Sequence, residues 1–113
     1  MVHIKNYING ELLEPISKKY LDNYDPSRGK VYSYIPDSDE QDVEKAVAAA
    51  KAAFAAWSVT PKDLRSKYLL KISALIEKNL DKLALAESID NGKPLRLAKT
   101  VDIPRAAANF HFY

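Results

Sequence analysis

The sequence predicts a mainly α-helical chain that opens with two small β-hairpins. Three observations carry that reading. Turn chemistry at Asn9-Gly10 and at Asp25-Pro26 separates short β-prone runs. From residue 38 onward apolar residues recur at helical spacing over an alanine-rich background. The only three glycines, at 10, 29 and 92, sit where the pattern changes.

The first hairpin pairs Tyr7-Ile8 with Leu12-Leu13. Asn-Gly between them readily takes the two positive φ values of a type I′ turn, and Pro15 ends the ribbon. The second pairs Tyr20–Tyr24 with Val31–Ile35 around Asp25-Pro26-Ser27-Arg28-Gly29. Its tyrosines fit packing better than base stacking, because no basic groove accompanies them.

The first helix follows Pro36-Asp37. Ser38 and Gln41 fit a capping box, and Asp39, Glu40 and Asp42 load the first turn with negative charge. Val43, Ala46, Val47, Ala50, Phe54 and Trp57 form one apolar stripe, with Trp57 expected as a core anchor rather than a ligand-stacking residue. Thr60 as N-cap and Pro61 in the first turn start a second helix with the stripe Leu64, Tyr68, Ile72, Leu75 and Ile76. Lys62, Arg65, Lys67 and Lys71 lie mostly off that stripe and read as a solvated face.

Asn79-Leu80-Asp81 punctuates before a third helix, which ends at Gly92 after Asn91, residues that tolerate positive φ. Lys93 then favours the negative helix end, and Pro94 suits the first turn of the next helix. Asn-Gly here could also mark a hairpin, but neither flank alternates with period two. Pro104 should break or kink the following helix near residues 100–102, with Asp102 as N-cap of a last helix whose face is Ile103, Ala107, Phe110 and Tyr113. The chain stops at Phe110-His111-Phe112-Tyr113 in mid-pattern, which predicts a truncated chain. The residues divide into 1–37, the hairpins, and 38–113, the helices of one unit.

The 113 residues suffice for one small domain or part of a larger one, and 47% are hydrophobic. A net charge of +2 gives no argument for nucleic acid or a membrane surface as partner. Without cysteine there is no disulfide, thiolate metal site or thiol nucleophile. Three scattered glycines build no phosphate loop, and His3 and His111 lack ligand spacing. No run approaches a membrane span and no leader is visible, so a cytoplasmic protein is expected.

The order of motifs resembles the N-terminus of the aldehyde dehydrogenase superfamily. The quoted stretches are Tyr7-Ile8-Asn9-Gly10-Glu11, Asp25-Pro26-Ser27-x-Gly29-Lys30-Val31, and the helix with Asp42-Val43, Ala46-Val47, Ala50, Ala53-Phe54 and Trp57. Arg65, Leu69-Leu70 and Glu87-x-x-Asp90-x-Gly92-Lys93-Pro94 complete the pattern. Aspartate at 25 replaces the family's usual asparagine. Glu87–Pro94 and Thr100–Arg105 look most similar to the 2-hydroxymuconic and 2-aminomuconic semialdehyde dehydrogenases.

The resemblance implies an N-terminal piece of the α/β aldehyde dehydrogenase fold, in the cofactor-binding domain. It implies a parent enzyme that oxidises an aldehyde to an acid with NAD or NADP. There a cysteine attacks the aldehyde, hydride passes to the nicotinamide, and a glutamate activates the hydrolytic water. Those residues and the nucleotide contacts would lie beyond residue 113. No catalytic or cofactor-binding residue is therefore expected in this chain, which should be inactive and bind no cofactor alone. The partner would be the remainder of the enzyme, and self-association through uncovered apolar faces is expected. The resemblance also offers backbone or hydroxyl oxygens at Asn23 and Tyr24, with the Asp102 carboxylate, to a monovalent cation; Asn23 departs from the threonine of some members, and a plain N-cap role competes for Asp102. The alternative function is a stand-alone, non-catalytic helical binding or scaffold module, discriminated by the reading frame beyond residue 113.

Overall fold

A computed structural model describes residues 1–113. Five strands precede five helical segments: β1 (Val2–His3), β2 (Asn6–Ile8), β3 (Glu11–Leu13), β4 (Tyr20–Asp25), β5 (Lys30–Pro36), α1 (Glu40–Ser58), α2 (Lys62–Lys78), α3 (Leu80–Asn91), α4 (Leu95–Leu97) and α5 (Ile103–Phe112). A π-helical turn, Ala98–Asp102, joins α4 to α5. The chain forms two compact units, residues 1–24 with 29–59, and residues 25–28 with 60–113. The division falls after α1, so that helix groups with the strands.

In the first unit, β2 and β3 pair antiparallel with Ile8 opposite Glu11. Asn9 and Gly10 have φ of +53° and +82°, as a type I′ turn requires. β4 and β5 lie side by side, as their turn demands. The sequence pattern did not reveal β1. It adds to the far edge of β5 in parallel, Val2 opposite Ser33 and His3 opposite Tyr34. Two residues are too short for a periodic signal. His3 is held there by rings, edge-on to Tyr20 at 4.7 Å and tilted on Tyr34 at 4.9 Å.

Helix α1 departs from expectation twice. Its N-cap is Asp39, not Ser38: Asp39 Oδ1 accepts from Gln41 N, and Asp42 Oδ2 accepts from Asp39 N. Ser38 instead exchanges hydrogen bonds with the Asn6 side chain, so its hydroxyl ties strand to helix. The predicted stripe is also uncovered. Val43, Val47, Phe54 and Trp57 are all exposed, so Trp57 is no core anchor. The buried residue of α1 is Asp42, whose Oδ1 accepts from Ile16 N at 3.1 Å.

In the second unit the core is made of small residues. Ala84, Ala98, Ala107 and Ser73 are buried. Ser73 Oγ donates to Ala107 O at 2.8 Å, and with a serine and an alanine at the crossing α2 and α5 approach closely. This choice turns α2 away from its predicted face. Ser73 is buried and Leu69 and Ile76 half-buried on its side, whereas Leu64, Tyr68, Ile72 and Leu75 stay exposed. The N-cap of α2 is Pro61 rather than Thr60, and no side chain caps it. Pro61 O accepts from Leu64 N and Arg65 N. α3 ends as expected, with Gly92 at φ +76° and its N–H on Ser88 O.

Pro104 does not break the last helix. The chain widens into the π turn before it, where Ile103 N donates to Ala98 O, five residues back. The wider turn relieves the clash that proline would make with the carbonyl one α-turn earlier. Thr100 Oγ1 donates to Arg96 O at 2.8 Å on the approach, a back-bond that itself bends helices. Asp102 is consequently helical, φ −69° and ψ −52°, and makes no side-chain cap.

Candidate functional site

The densest polar construction in the second unit surrounds the stop of α3 and the start of α4. Glu87 Oε1 accepts from Asn91 Nδ2 at 2.6 Å. Asn91 Oδ1 accepts from Lys93 N at 2.8 Å, and Ser88 Oγ donates to Lys93 O at 2.6 Å. Both main-chain groups of Lys93 are thus fixed by side chains of the preceding helix. Its ammonium then reaches Asp102 in the π turn, Nζ to Oδ2 2.8 Å. Lys99, on the same turn, pairs instead with Asp81 Oδ1 at 2.8 Å.

The turn 25–28 belongs to this unit and packs on Gly92. Arg28 N donates to Asp25 O, with Pro26 at the second position that suits its fixed φ. Asp25 Oδ1 accepts from Ser27 Oγ at 2.6 Å and Ser27 N at 2.9 Å. The Ser27 hydroxyl, then its amide and the Arg28 guanidinium, hold the buried Asp25 carboxyl below its usual range against the opposing effect of burial. A Cβ on Gly92 would lie 2.8 Å from Pro26 Cγ. Glycine is demanded there by the backbone and by the proline ring together.

Of the residues offered to a cation, Asn23 and Tyr24 lie on β4 in the first unit and Asp102 in the second. Asn23 Nδ2 donates to Tyr32 Oη at 3.0 Å and Ser33 Oγ at 3.1 Å, which ties its side chain to β5 and leaves its backbone oxygen, the atom offered to a cation, out of those bonds. Asp102 is used by Lys93. No group of three or more His, Asp or Glu side chains is placed to hold a metal ion, and no helix is long and apolar enough to cross a membrane. Sequence reasoning missed Asp42 as a fastener and Lys93 as the partner of Asp102. Asp42 could have been found from its place three residues after Asp39, the capping-box spacing. The Lys93 pair depends on the π turn and has no local signal.

The Asn-Gly hairpin, the Asp-Pro turn and the Gly-Lys-Pro junction after a helix, the stretches that carry the family resemblance, all form in the structure. The chain belongs to the aldehyde dehydrogenase family, whose model matches residues 13–113. The 2-aminomuconic semialdehyde dehydrogenase of Bos taurus is 47% identical over 113 residues, all of this chain and 23% of that protein. Acetaldehyde dehydrogenase 2 of Cupriavidus necator is 42% identical over 109 residues, 96% of this chain and 22% of that protein. Among solved structures, PnpE in complex with nicotinamide adenine dinucleotide superposes with a TM-score of 0.95 at 36% identity, over 96% of this chain and 22% of that one. The fold is therefore an N-terminal piece of the aldehyde dehydrogenase fold, and the chain spans under a quarter of its relatives' length.

Proposed function

We propose that these residues are the N-terminal part of an NAD(P)-dependent aldehyde dehydrogenase that oxidises an aldehyde to a carboxylic acid, with a muconic semialdehyde as its substrate. The observation that carries this reading is the 47% identity to the bovine semialdehyde dehydrogenase over every residue of the chain. The NAD complex of PnpE supports the cofactor class. The stretch contributes folding and bracing rather than chemistry. It has no cysteine to serve as nucleophile and no glycine-rich phosphate loop.

The partner of this stretch is the rest of the enzyme. Exposed Val43, Val47, Phe54 and Trp57 on α1 offer an apolar face suited to that contact, and without it copies of the chain associate through it. The test is cofactor reduction with 2-aminomuconic semialdehyde and NAD or NADP. The complete reading frame should reduce cofactor, and the 113-residue chain should not exceed a boiled control. Activity of the short chain, or a complete protein inactive on every aldehyde tried, would overturn the reading. Light scattering on the dilute short chain should show oligomers; a strict monomer that binds no dye for exposed apolar surface would overturn self-association and favour a stand-alone module.

A further inference from the structure

We infer that the Lys93 ammonium is the resident cation of Asp102, so that this carboxylate takes no monovalent metal ion. The family resemblance offers Asp102 to such an ion, and the structure assigns its charge to a side chain of the same unit. Lys93 Nζ stands 2.8 Å from Asp102 Oδ2. That oxygen is closed to solvent and accepts no hydrogen bond, so the ammonium meets it as an ion pair alone, while the side chain as a whole is 28% exposed. A hydrated ion could reach Oδ2 only by displacing the ammonium. Bound at the other oxygen, it would put two like charges on one carboxylate.

The ammonium is delivered by the backbone. Gly92, at φ +76°, turns the chain out of α3. Asn91 and Ser88 then hold the amide and carbonyl of Lys93. Asp102 is held from the other side by the π turn, closed by Ile103 N on Ala98 O. With both residues fixed at the main chain, less backbone freedom is lost on pairing than between two mobile surface segments. The other lysine of the π turn, Lys99, is engaged with Asp81. Lysine supplies a compact point charge with three donors, the nearest side-chain equivalent of a monovalent ion on oxygen ligands.

The test is the thermal midpoint of the purified protein in potassium, sodium and choline chloride at one ionic strength. The wild type should melt at the same temperature in all three. Lys93→Met should melt several degrees higher in potassium or sodium than in choline, because the vacated carboxylate then recruits an ion. Lys93→Met/Asp102→Asn should lose that difference. A metal-specific rise in the wild type, or its absence in Lys93→Met, overturns the assignment. If Lys93→Met does not fold, the lysine ammonium signals in nitrogen-15 NMR decide. One sheltered signal, lost in Asp102→Asn and unmoved by potassium, is expected. A potassium-dependent shift, or no such signal in the wild type, refutes it.

Discussion

Gly10 and Gly92 turn the chain with nearly the same dihedral, φ +82° and +76°, in two different units. Around Gly10 a Cβ would meet nothing within 4 Å. Around Gly92 it would meet Pro26 Cγ at 2.8 Å. The first glycine satisfies a local backbone rule. The second also closes a contact between segments distant in sequence, and the atoms opposite belong to a rigid ring. Equal dihedrals therefore conceal unequal constraints: Gly10 answers to its turn alone, Gly92 to its turn and to a docked partner.

The largest expected effect breaks this comparison at its packed end. Gly92→Ala should destabilise the protein by about 2–3 kcal/mol, the sum of a positive-φ penalty and an overpacking cost. The two parts are separable. In a Pro26→Ala background the ring is gone, and the same substitution should cost only about 1 kcal/mol. Urea unfolding of the four proteins closes the cycle. Equal costs in both backgrounds would mean that Pro26 yields freely and that Gly92 differs little from Gly10.

Both turns were legible in the sequence, because Asn-Gly and the αL helix stop are local chemistry. The neighbour of Gly92 was not, since no spacing rule connects residue 92 to residue 26. The same boundary runs through the rest of the molecule. Helix existence followed from periodicity, and on α5 so did part of the face, with Ile103 half-buried and Ala107 buried, but the faces of α1 and α2 did not. On α2 the buried position is Ser73, and the large side chains Leu64, Tyr68, Ile72 and Leu75 face outward. A hydrophobic pattern marks a face that some surface covers, and on α1 that cover is absent from these residues. The N-cap moved from Ser38 to Asp39 because Asp42 completes a box that Gln41 was expected to make. Pro104 announced an irregularity at the right place, but a π turn resolved it, and that turn makes Asp102 a partner of Lys93.

At the open end of the comparison, Gly10→Ala should cost about 1 kcal/mol, the backbone term alone. No second substitution nearby should change that value, since no side chain stands within 4 Å of the added carbon. Urea midpoints of Gly10→Ala alone and combined with Leu12→Ala should add. Coupling beyond about 0.5 kcal/mol would show that the hairpin rearranges, and that its glycine is as entangled as Gly92.

The smallest effect distinguishes the two turns by pH. The two central residues of the first turn, Asn9 and Gly10, carry no titratable side chain, whereas the turn beneath Gly92 begins with Asp25, whose carboxyl is held below its ordinary value by Ser27 and Arg28. A group whose folded value is depressed contributes stability above its unfolded value, and loses it as pH falls through the folded one. For Asp25 the contribution is present above about pH 4 and fades below it. Asp25→Asn keeps an oxygen for the Ser27 amide and hydroxyl but removes the charge. Its stability near neutrality should stay close to that of the wild type, and its decline in acid should be shallower. Urea midpoints from roughly pH 3 to 7 measure both limbs. Gly92→Ala and Gly10→Ala, which alter no charge, should run parallel to the wild type across that range. If the acid limbs of Asp25→Asn and the wild type coincide, the buried carboxylate contributes geometry alone. The turn under Gly92 would then owe none of its stability to that charge.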